Sequence, residues 1–364
     1  MKIAIVITGL GMGGSERQVC DLADQFIKIG HKVLLIVMTG EIVNRPYSAE
    51  VDVALLKMSK NPLSFVNSYW EAVKLLRQYK PDVVHSHMVH ANLFTRLVRL
   101  MIFIPKLICS AHSINEGGDV YMLAYRLTDR LCDLSTNVSQ AAVDIFIKRG
   151  AVAAGRMQVM YNGIDTRRFS FNVVSRMQLR FQLGVKEDAI LLLAVGRLTA
   201  AKDYKNLLKA FARLSSQYSY VQLFIIGEGE DKAYLMSMVA AQGLMARVHF
   251  LGLRHDIEKW MSAADIFVLS SAWEGFSLVV AEAMATELLV VATDCGGVKE
   301  VVGTAGLLVP PQDSIRLSAA IEHALLLSPL EKEAITQEAR SRVINHYSIK
   351  VISQHWLTLY QDCL

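Results

Sequence analysis

The chain has 364 residues, 52% of them hydrophobic and 20% charged, which suits two folded domains with buried cores and excludes a disordered chain. The net charge of +4 hides an asymmetry, since residues 1–170 carry 20 Lys and Arg against 14 Asp and Glu, whereas residues 171–364 carry 18 against 20. A basic first half suits an anionic partner, such as a phospholipid surface or a pyrophosphate-linked acceptor; nucleic acid is not expected, because no basic stripe interleaved with aromatics occurs.

The strand Lys2–Thr8 is a continuous apolar run of the kind a buried parallel strand needs. It is too short for a secretory h-region and flows into a glycine loop without a cleavage-type ending. Ser15–Gly30 follows with helical spacing of Val19, Leu22, Ala23, Phe26 and Ile27, and His31–Met38 is the next strand. Pro62–Tyr79 reads as a helix, Asp82–His85 as a short strand entering a His-rich loop, and Leu107–Ser110 and Leu134–Val138 as further strands. Residues 91–106, apolar with Arg96, Arg99 and Lys106, fit either an interfacial helix on anionic lipid or a core helix. The seam lies near Asn162–Phe171, giving domains over 1–168 and 169–345, with a C-terminal helix in 346–364 that packs back on the first. The second half offers strands Ile190–Val195, Val221–Ile226, Val248–Leu251, Ile266–Ser270 and Leu288–Ala292. Helices alternate with them at Asn206–Leu214, Lys232–Ala241, Ile257–Ala263 and Leu278–Ala285. Strands spaced by helices imply two doubly wound α/β domains, with ligands bound at the carboxyl ends of the strands.

No apolar run approaches the roughly 18 to 20 residues needed to cross a bilayer. The five cysteines are scattered and form no Cys-x-x-Cys pair, so zinc is not expected and the thiols read as those of a reduced, cytoplasmic protein. His85, His87 and His90 suggest a metal site by type, but no carboxylate lies nearby in sequence, and no metal or other cofactor is expected.

Four stretches carry chemistry. Gly9, Gly11 and Gly14 satisfy Gly-x-Gly-x-x-Gly between a strand and a helix, which fits NAD, with Glu41 as the ribose acid, or any phosphate brought to a helix N-terminus. Arg197 and Lys202 follow the strand Ile190–Val195 and suit a diphosphate clamp, Arg as a fork and Lys as a point charge. Trp273-Glu274-Gly275-Phe276-Ser277-Leu278 opens a helix whose free N–H groups favour an anion. Glu282 lies among Val279, Val280, Ala281, Ala283 and Met284, where a carboxylate needs donors such as ribose hydroxyls.

Together these stretches resemble the large fourth family of retaining glycosyltransferases, the glycosyl transferases group 1. Glu274 and Glu282 within EGFSLVVAEAMA resemble its hallmark, GRLTAAKDYKNLLKAF its donor-phosphate segment, GLGMGGSERQ its N-terminal glycine loop, and YNGID its interdomain turn. The order of the four also disfavours NAD. The resemblance implies a GT-B fold, two Rossmann-like domains with an interdomain cleft, and transfer from a nucleotide-sugar donor without a required metal. By similarity Arg197 and Lys202 neutralise the diphosphate, Glu274 holds hydroxyls of the transferred sugar, and Glu282 holds the ribose. Gly13, Gly14, Gly275, Phe276, Ser277 and Leu278 line the phosphates and sugar. His112 matches the cleft histidine that contacts the donor sugar, so His112 and Glu274 are the catalytic candidates and His87 an acceptor-side candidate. The implied reaction moves a hexose or N-acetylhexosamine, UDP-linked by preference, to a glycan acceptor. The expected acceptor is a lipid-linked oligosaccharide used in surface-polysaccharide synthesis at the cytoplasmic membrane face. A GT-B nucleotide-sugar epimerase and a silent nucleotide-sugar binder are the competing classes. Two departures stand near the donor: Gly296-Gly297-Val298-Lys299-Glu300 replaces the common Gly-Gly-x-Pro-Glu, and Thr286-Glu287 a small-Gly pair.

Overall fold

The computed structural model describes residues 1–114, 116–186 and 188–362 and divides the chain into two compact units, Met1–Gly163 with Ser348–Leu364, and Ile164–Tyr347. The first unit is built on β1 (Lys2–Ile7), β2 (Lys32–Val37), β3 (Asp52–Leu55), β4 (Val83–His87), β5 (Leu107–Ser110), β6 (Leu134–Asn137) and β7 (Met157–Val159). All pair in parallel, in the order β3-β2-β1-β4-β5-β6-β7. Between them run α1 (Gly14–Lys28), α2 (Pro62–Tyr79), α3 (Val89–Val98), α4 (Asp119–Thr128) and α5 (Gln140–Lys148). Every residue of β1 after Lys2 is buried because helices cover both faces. Ile3, Ile5 and Ile7 point into one cluster with Val19, Leu22 and Phe26 of α1, while Ala4 and Val6 point into another with Ala72, Val73 and Leu76 of α2. Asn61 caps α2 by accepting the Leu63 N–H at 2.9 Å, ahead of Pro62, and Lys80 ends the helix in a left-handed conformation.

The second unit repeats the plan with β8 (Ile190–Val195), β9 (Val221–Ile226), β10 (Val248–Phe250), β11 (Ile266–Leu269), β12 (Leu289–Thr293) and β13 (Leu307–Val309), parallel and ordered β10-β9-β8-β11-β12-β13. Its helices are α6 (Val173–Gln182), α7 (Tyr204–Ser215), α8 (Lys232–Ala241), α9 (Ile257–Ala263), α10 (Leu278–Ala285), α11 (Val298–Val302), α12 (Ser314–Leu326) and α13 (Pro329–Arg342). A final helix, α14 (Ile349–Gln361), belongs to the first unit, where Ile352, Trp356 and Tyr360 join the α1 cluster. In each sheet the winding reverses at one place, between β1 and β4 and between β8 and β11. Those switch points are where a doubly wound sheet opens a crevice at the carboxyl ends of its strands.

Three departures from the sequence reading matter for the site. The strand expected to stop at His85 continues through Ser86 to His87, and all three side chains are buried. The structure puts the unit boundary at Gly163–Ile164, so residues 164–168 belong with the second unit. Residues 91–106 are helical only as far as Val98, where α3 ends, and two of the segment's three cations lie inside the fold. Arg96 is fully buried, donating to the Tyr125 carbonyl at 3.1 Å, Thr128 Oγ1 at 2.9 Å and Ser135 Oγ at 3.0 Å. Lys106 is buried against the Leu359 carbonyl, and Arg99 is paired with Asp133 at 2.7 Å. Four cysteines, Cys20, Cys109, Cys132 and Cys295, are buried free thiols; Cys363 lies outside the described residues.

Candidate functional site

The residues singled out from the sequence gather at the carboxyl ends of strands in both units. In the second unit, β8 delivers Gly196 and Arg197 to a loop that makes one 3-10 turn, Ala200–Lys202, before α7. Arg197 is exposed, and no ion pair or side-chain hydrogen bond to it occurs among the described residues. Asp203, left-handed at φ 44°, caps α7 by accepting the Asn206 N–H at 3.2 Å, which turns the chain so that Lys202 points back toward the loop after β11. There Lys202 Nζ meets Glu274 Oε1, and Ser271 Oγ donates to the same oxygen at 2.7 Å. Both side chains of the pair are largely buried, with 20% and 11% exposed.

The Glu274 loop is fixed from its far side by Gly296. A Cβ on Gly296 would lie 1.9 Å from the Glu274 carbonyl oxygen, its φ is +56°, and the next residue, Gly297, donates its N–H to the Gly275 carbonyl at 3.0 Å. The two glycines kept from the family pattern therefore shape this loop, while Val298, in place of the variable position, is buried at the start of α11. Phe276 is buried with its ring on Tyr347, centroids 5.5 Å apart. Ser277 precedes α10 in the left-handed region at φ 66°, and its hydroxyl is buried without a partner. Non-glycine residues persist there only when surrounding structure imposes it, commonly at ligand sites. The Val280 and Ala281 N–H groups reach the Ser277 carbonyl at 3.1 and 3.4 Å, and the two before them, of Leu278 and Val279, have no carbonyl one turn earlier and stand at the positive end of the helix. Glu282 stands half-buried on α10, one helical turn and a little more inside.

In the first unit Gly13 is the N-cap of α1 and Gly14 its first residue. The loop before them is pinned by the Val43 and Asn44 N–H groups, both donating to the Leu10 carbonyl at 2.9 Å. A Cβ on Gly13 would meet the end of the flexible Glu16 side chain, its carboxylate at 2.2 Å, which lies over the helix start. His87 ends β4 and His112 follows β5, and the parallel pairing of His87 with Ser110 brings them together, His87 Nδ1 lying 3.0 Å from His112 Nε2. His87 is 1% exposed, with its Nδ1 side turned to His112. His85 bonds Tyr360 Oη at 2.6 Å and Ser110 Oγ at 2.7 Å, whereas His90, on α3, reaches Tyr121 Oη at 3.1 Å. Thus His85 and His87 lie against each other, ring centroids 3.9 Å apart, while His90 stands apart on Tyr121, and no cluster of three or more metal-ligating side chains occurs among the described residues.

Burial sets the charge state here. Burial pushes the His112 imidazole down to about 4, and burial together with its histidine neighbours takes His85 and His87 well below the ordinary value. Beside them stands a carboxyl that the sequence did not single out. Glu116 Oε1 accepts the His112 backbone N–H at 2.8 Å and Oε2 accepts the Tyr125 hydroxyl at 2.6 Å. Burial raises Glu116 to about 7, and those two hydrogen bonds oppose the rise. Ser271 was missed as well; only its position three residues before Glu274 could have pointed to it.

The sequence matches two family models end to end: Glycosyltransferase Family 4 over residues 12–168 and Glycosyl transferases group 1 over residues 175–342. The chain is 25% identical over 368 residues to a Campylobacter jejuni protein, the N-acetylgalactosamine-N,N'-diacetylbacillosaminyl-diphospho-undecaprenol 4-alpha-N-acetylgalactosaminyltransferase, covering 96% of this chain and 97% of the relative. To the N-acetyl-alpha-D-glucosaminyl L-malate synthase of Bacillus anthracis it is 23% identical, covering 100% and 98%. Among solved structures, HepE of Anabaena in complex with UDP and glucose superposes with a TM-score of 0.88 at 24% identity, covering 99% of this chain and 100% of that one. WaaG, a glycosyltransferase involved in lipopolysaccharide biosynthesis, superposes at 0.74 with 19% identity, covering 99% and 100%. At such identities the superpositions speak for the fold, and the two family matches set aside the dinucleotide reading of the glycine loop. The chain belongs to the GT-B glycosyltransferases of the group 1, family 4 kind.

Proposed function

We propose that this glycosyltransferase moves a hexose or N-acetylhexosamine from a nucleotide sugar, a UDP-sugar by preference, to a lipid-linked oligosaccharide in surface-polysaccharide synthesis, with retention of anomeric configuration. One observation carries the donor half: an unengaged Arg197, the buried Lys202–Glu274 pair and the open N-terminus of α10 stand around one strand switch point. As the glycosidic bond breaks, negative charge grows on the departing diphosphate, and two cations with preorganised amides stabilise that charge more than the ground state. Lys202 is already held by Glu274, so it needs little reordering to bridge the carboxylate and a phosphate. Glu274, fixed also by Ser271, takes hydroxyls of the transferred sugar, and Glu282 takes the ribose. In this reading no metal is required, because Arg197, Lys202 and the α10 amides supply the neutralising charge. The departing phosphate is the group placed to take the acceptor's proton under retention.

The UDP preference rests on HepE having been solved with UDP and glucose, and the lipid-linked acceptor on the diphospho-undecaprenol acceptor in the Campylobacter relative's name. The test is a panel of UDP- and GDP-sugars, with and without EDTA, followed by NMR of the product. Release of nucleoside diphosphate with an axial linkage from an axial donor supports the reading; an inverted linkage removes retention, and recovery of an epimerised nucleotide sugar favours the epimerase.

A cytoplasmic, membrane-facing location is part of the same proposal, on a surface that includes the apolar residues after α3 but not the buried cations Arg96 and Lys106. No helix among the described residues is long and apolar enough to cross a membrane. However, α3 packs between α2 and α4, and these helices with the turn after α3 leave Leu63, Trp70, Leu100, Phe103, Val120 and Leu127 exposed, flanked by exposed Lys74 and Arg126. Apolar side chains with basic flanks suit the interface of an anionic bilayer. Flotation with phosphatidylglycerol vesicles, lost in a Phe103→Ser and Leu127→Ser variant, is the expected result; no flotation at low salt overturns it.

A further inference from the structure

A helix on a protein surface ordinarily turns its apolar residues inward and its charges outward. In α6 the charges go the other way. Arg176 donates to the Ala263 and Ala264 carbonyls at 3.0 and 2.8 Å and pairs with Asp265 at 2.6 Å. Arg180 pairs with the same carboxylate at 3.2 Å and donates to the Ala189 carbonyl at 2.6 Å. These are the only charged residues of the helix, and both point into the fold beside Leu179, its one buried residue. The outer face carries Val173, Val174, Met177 and Phe181, which are 56, 57, 67 and 88% exposed. Their spacing of three and four residues makes one stripe. Phe171, 47% exposed, stands just before the helix.

The size of this surface and its lack of charge say what covers it. At roughly 150–200 Å² for each fully exposed side chain, the stripe and Phe171 present on the order of 600 Å², the upper end of the largest apolar patch on a typical monomer. Two such faces together bury about 1,200 Å², which reaches the lower limit of a stable, specific interface. A face on a two-fold axis meets itself, so any charge near the axis opposes its own copy. None of the exposed residues from Phe171 to Gln182 is charged. The order of residues is self-complementary as well. Antiparallel α6 helices crossing at the level of Arg176 bring Phe181 of each copy toward Phe171 of the other, with Val174 and Met177 of both copies between them. An anionic bilayer instead calls for basic side chains within the patch. The first unit's apolar surface has them in Lys74 and Arg126, whereas both arginines of α6 are turned inward.

We propose that the outer face of α6 is the interface of a two-fold dimer of this chain. The helix is already rigid in the single copy, because Asp265 holds both arginines and accepts the Leu191 N–H at 2.8 Å, so little ordering is lost on pairing. The same bonds tie α6 to the amino ends of β8 and β11. Arg197 and Glu274 follow the carboxyl ends of those strands, so the dimer leaves the candidate donor site open. The inference goes beyond the glycosyl-transfer reading and does not depend on it.

The test is sedimentation velocity of the full chain over a range of micromolar concentrations. The unmodified protein is expected to sediment as a dimer. Met177→Lys and Met177→Glu each place like charges across the axis and are expected to sediment as monomers with unchanged melting temperatures, while an equimolar mixture of the two recovers the dimer. Phe181→Ser, which removes apolar area without adding charge, is expected to raise the dimer dissociation constant at least tenfold. A monomer at every concentration overturns the proposal, as does a dimer that persists unchanged in both charged variants. A monomer that floats with phosphatidylglycerol vesicles and loses flotation in Phe181→Ser also overturns it, in favour of a lipid surface.

Discussion

Arg197 and Lys202 differ in the free protein, and their replacements should differ too. Arg197 is exposed and engaged with nothing, so Arg197→Ala leaves the melting temperature unchanged while weakening a UDP-sugar by roughly ten- to a hundredfold, the worth of charged hydrogen bonds to a diphosphate. Lys202→Ala strands a largely buried Glu274, so it lowers the melting temperature even without ligand. Equal thermal effects of the two would contradict the assignment. The histidines and Glu116 set the pH response. His112, near 4 when folded, is protonated in the unfolded chain first, so its contribution is present above the ordinary histidine value and is lost as pH falls toward 4. Glu116, raised to about 7, works the other way: the native state takes the proton first, so stability is gained as pH falls through 7. With His85 and His87 shifted in the same sense as His112, the net expectation is loss of stability from pH 7.5 to 5. Glu116→Gln removes the opposing group and steepens that loss, which a series of thermal melts across this range checks; a flatter profile would refute it.

At the scale of elements, the loops matter more than the strands. Gly296→Ala would drive a Cβ into the Glu274 carbonyl at a left-handed φ, so we expect a loss of about 1–3 kcal/mol in chemical denaturation, together with weaker donor binding. Ser277→Gly should do the reverse for stability. It relieves a left-handed serine and removes a buried hydroxyl without a partner, giving a gain of up to about 1 kcal/mol, while donor affinity falls if that hydroxyl takes a phosphate oxygen. A destabilised Ser277→Gly would mean the hydroxyl is satisfied in the protein. Elements were also where the sequence spoke most clearly. Ile190–Val195, Val221–Ile226 and Leu278–Ala285 could be read to the residue, because buried parallel strands are continuous apolar runs and α10 is apolar but for Glu282. β4 was cut short at His85 because histidine signals a loop by type, although here burial between covered sheet faces carries it to His87. The three-residue strands β7 and β13 are too short to show a period. In residues 91–106 periodicity could not tell a lipid-facing cation from one turned inward to carbonyls, and Arg96 is the latter.

For the whole molecule, two matching domains and most of the second-unit site were legible because GT-B chemistry sits in short local stretches. Gln18 and Glu116 were not, since each acts through a partner that only the fold supplies: Gly163 and His112. The return of α14 to the first unit gives that unit a dependence on the chain's far end. Trp356 is 3% exposed, stacks near His85 with centroids 4.3 Å apart and lines a cavity with His87 and His112. Trp356→Ala is therefore expected to cost about 3–5 kcal/mol, with hydrogen exchange accelerating across β1, β4 and α1 and leaving β8, β9 and α7 protected. Uniform acceleration across both units would contradict the division.

The central claim is that the second unit's Arg197–Lys202–Glu274 loop cluster holds a nucleotide-sugar diphosphate. Titration calorimetry of UDP-sugars against the unmodified protein and Arg197→Ala tests it most directly. The account predicts binding of at least one UDP-sugar that weakens at least tenfold in a variant of unchanged melting temperature. Equal affinity in both proteins, or no nucleotide sugar bound by either, would contradict it.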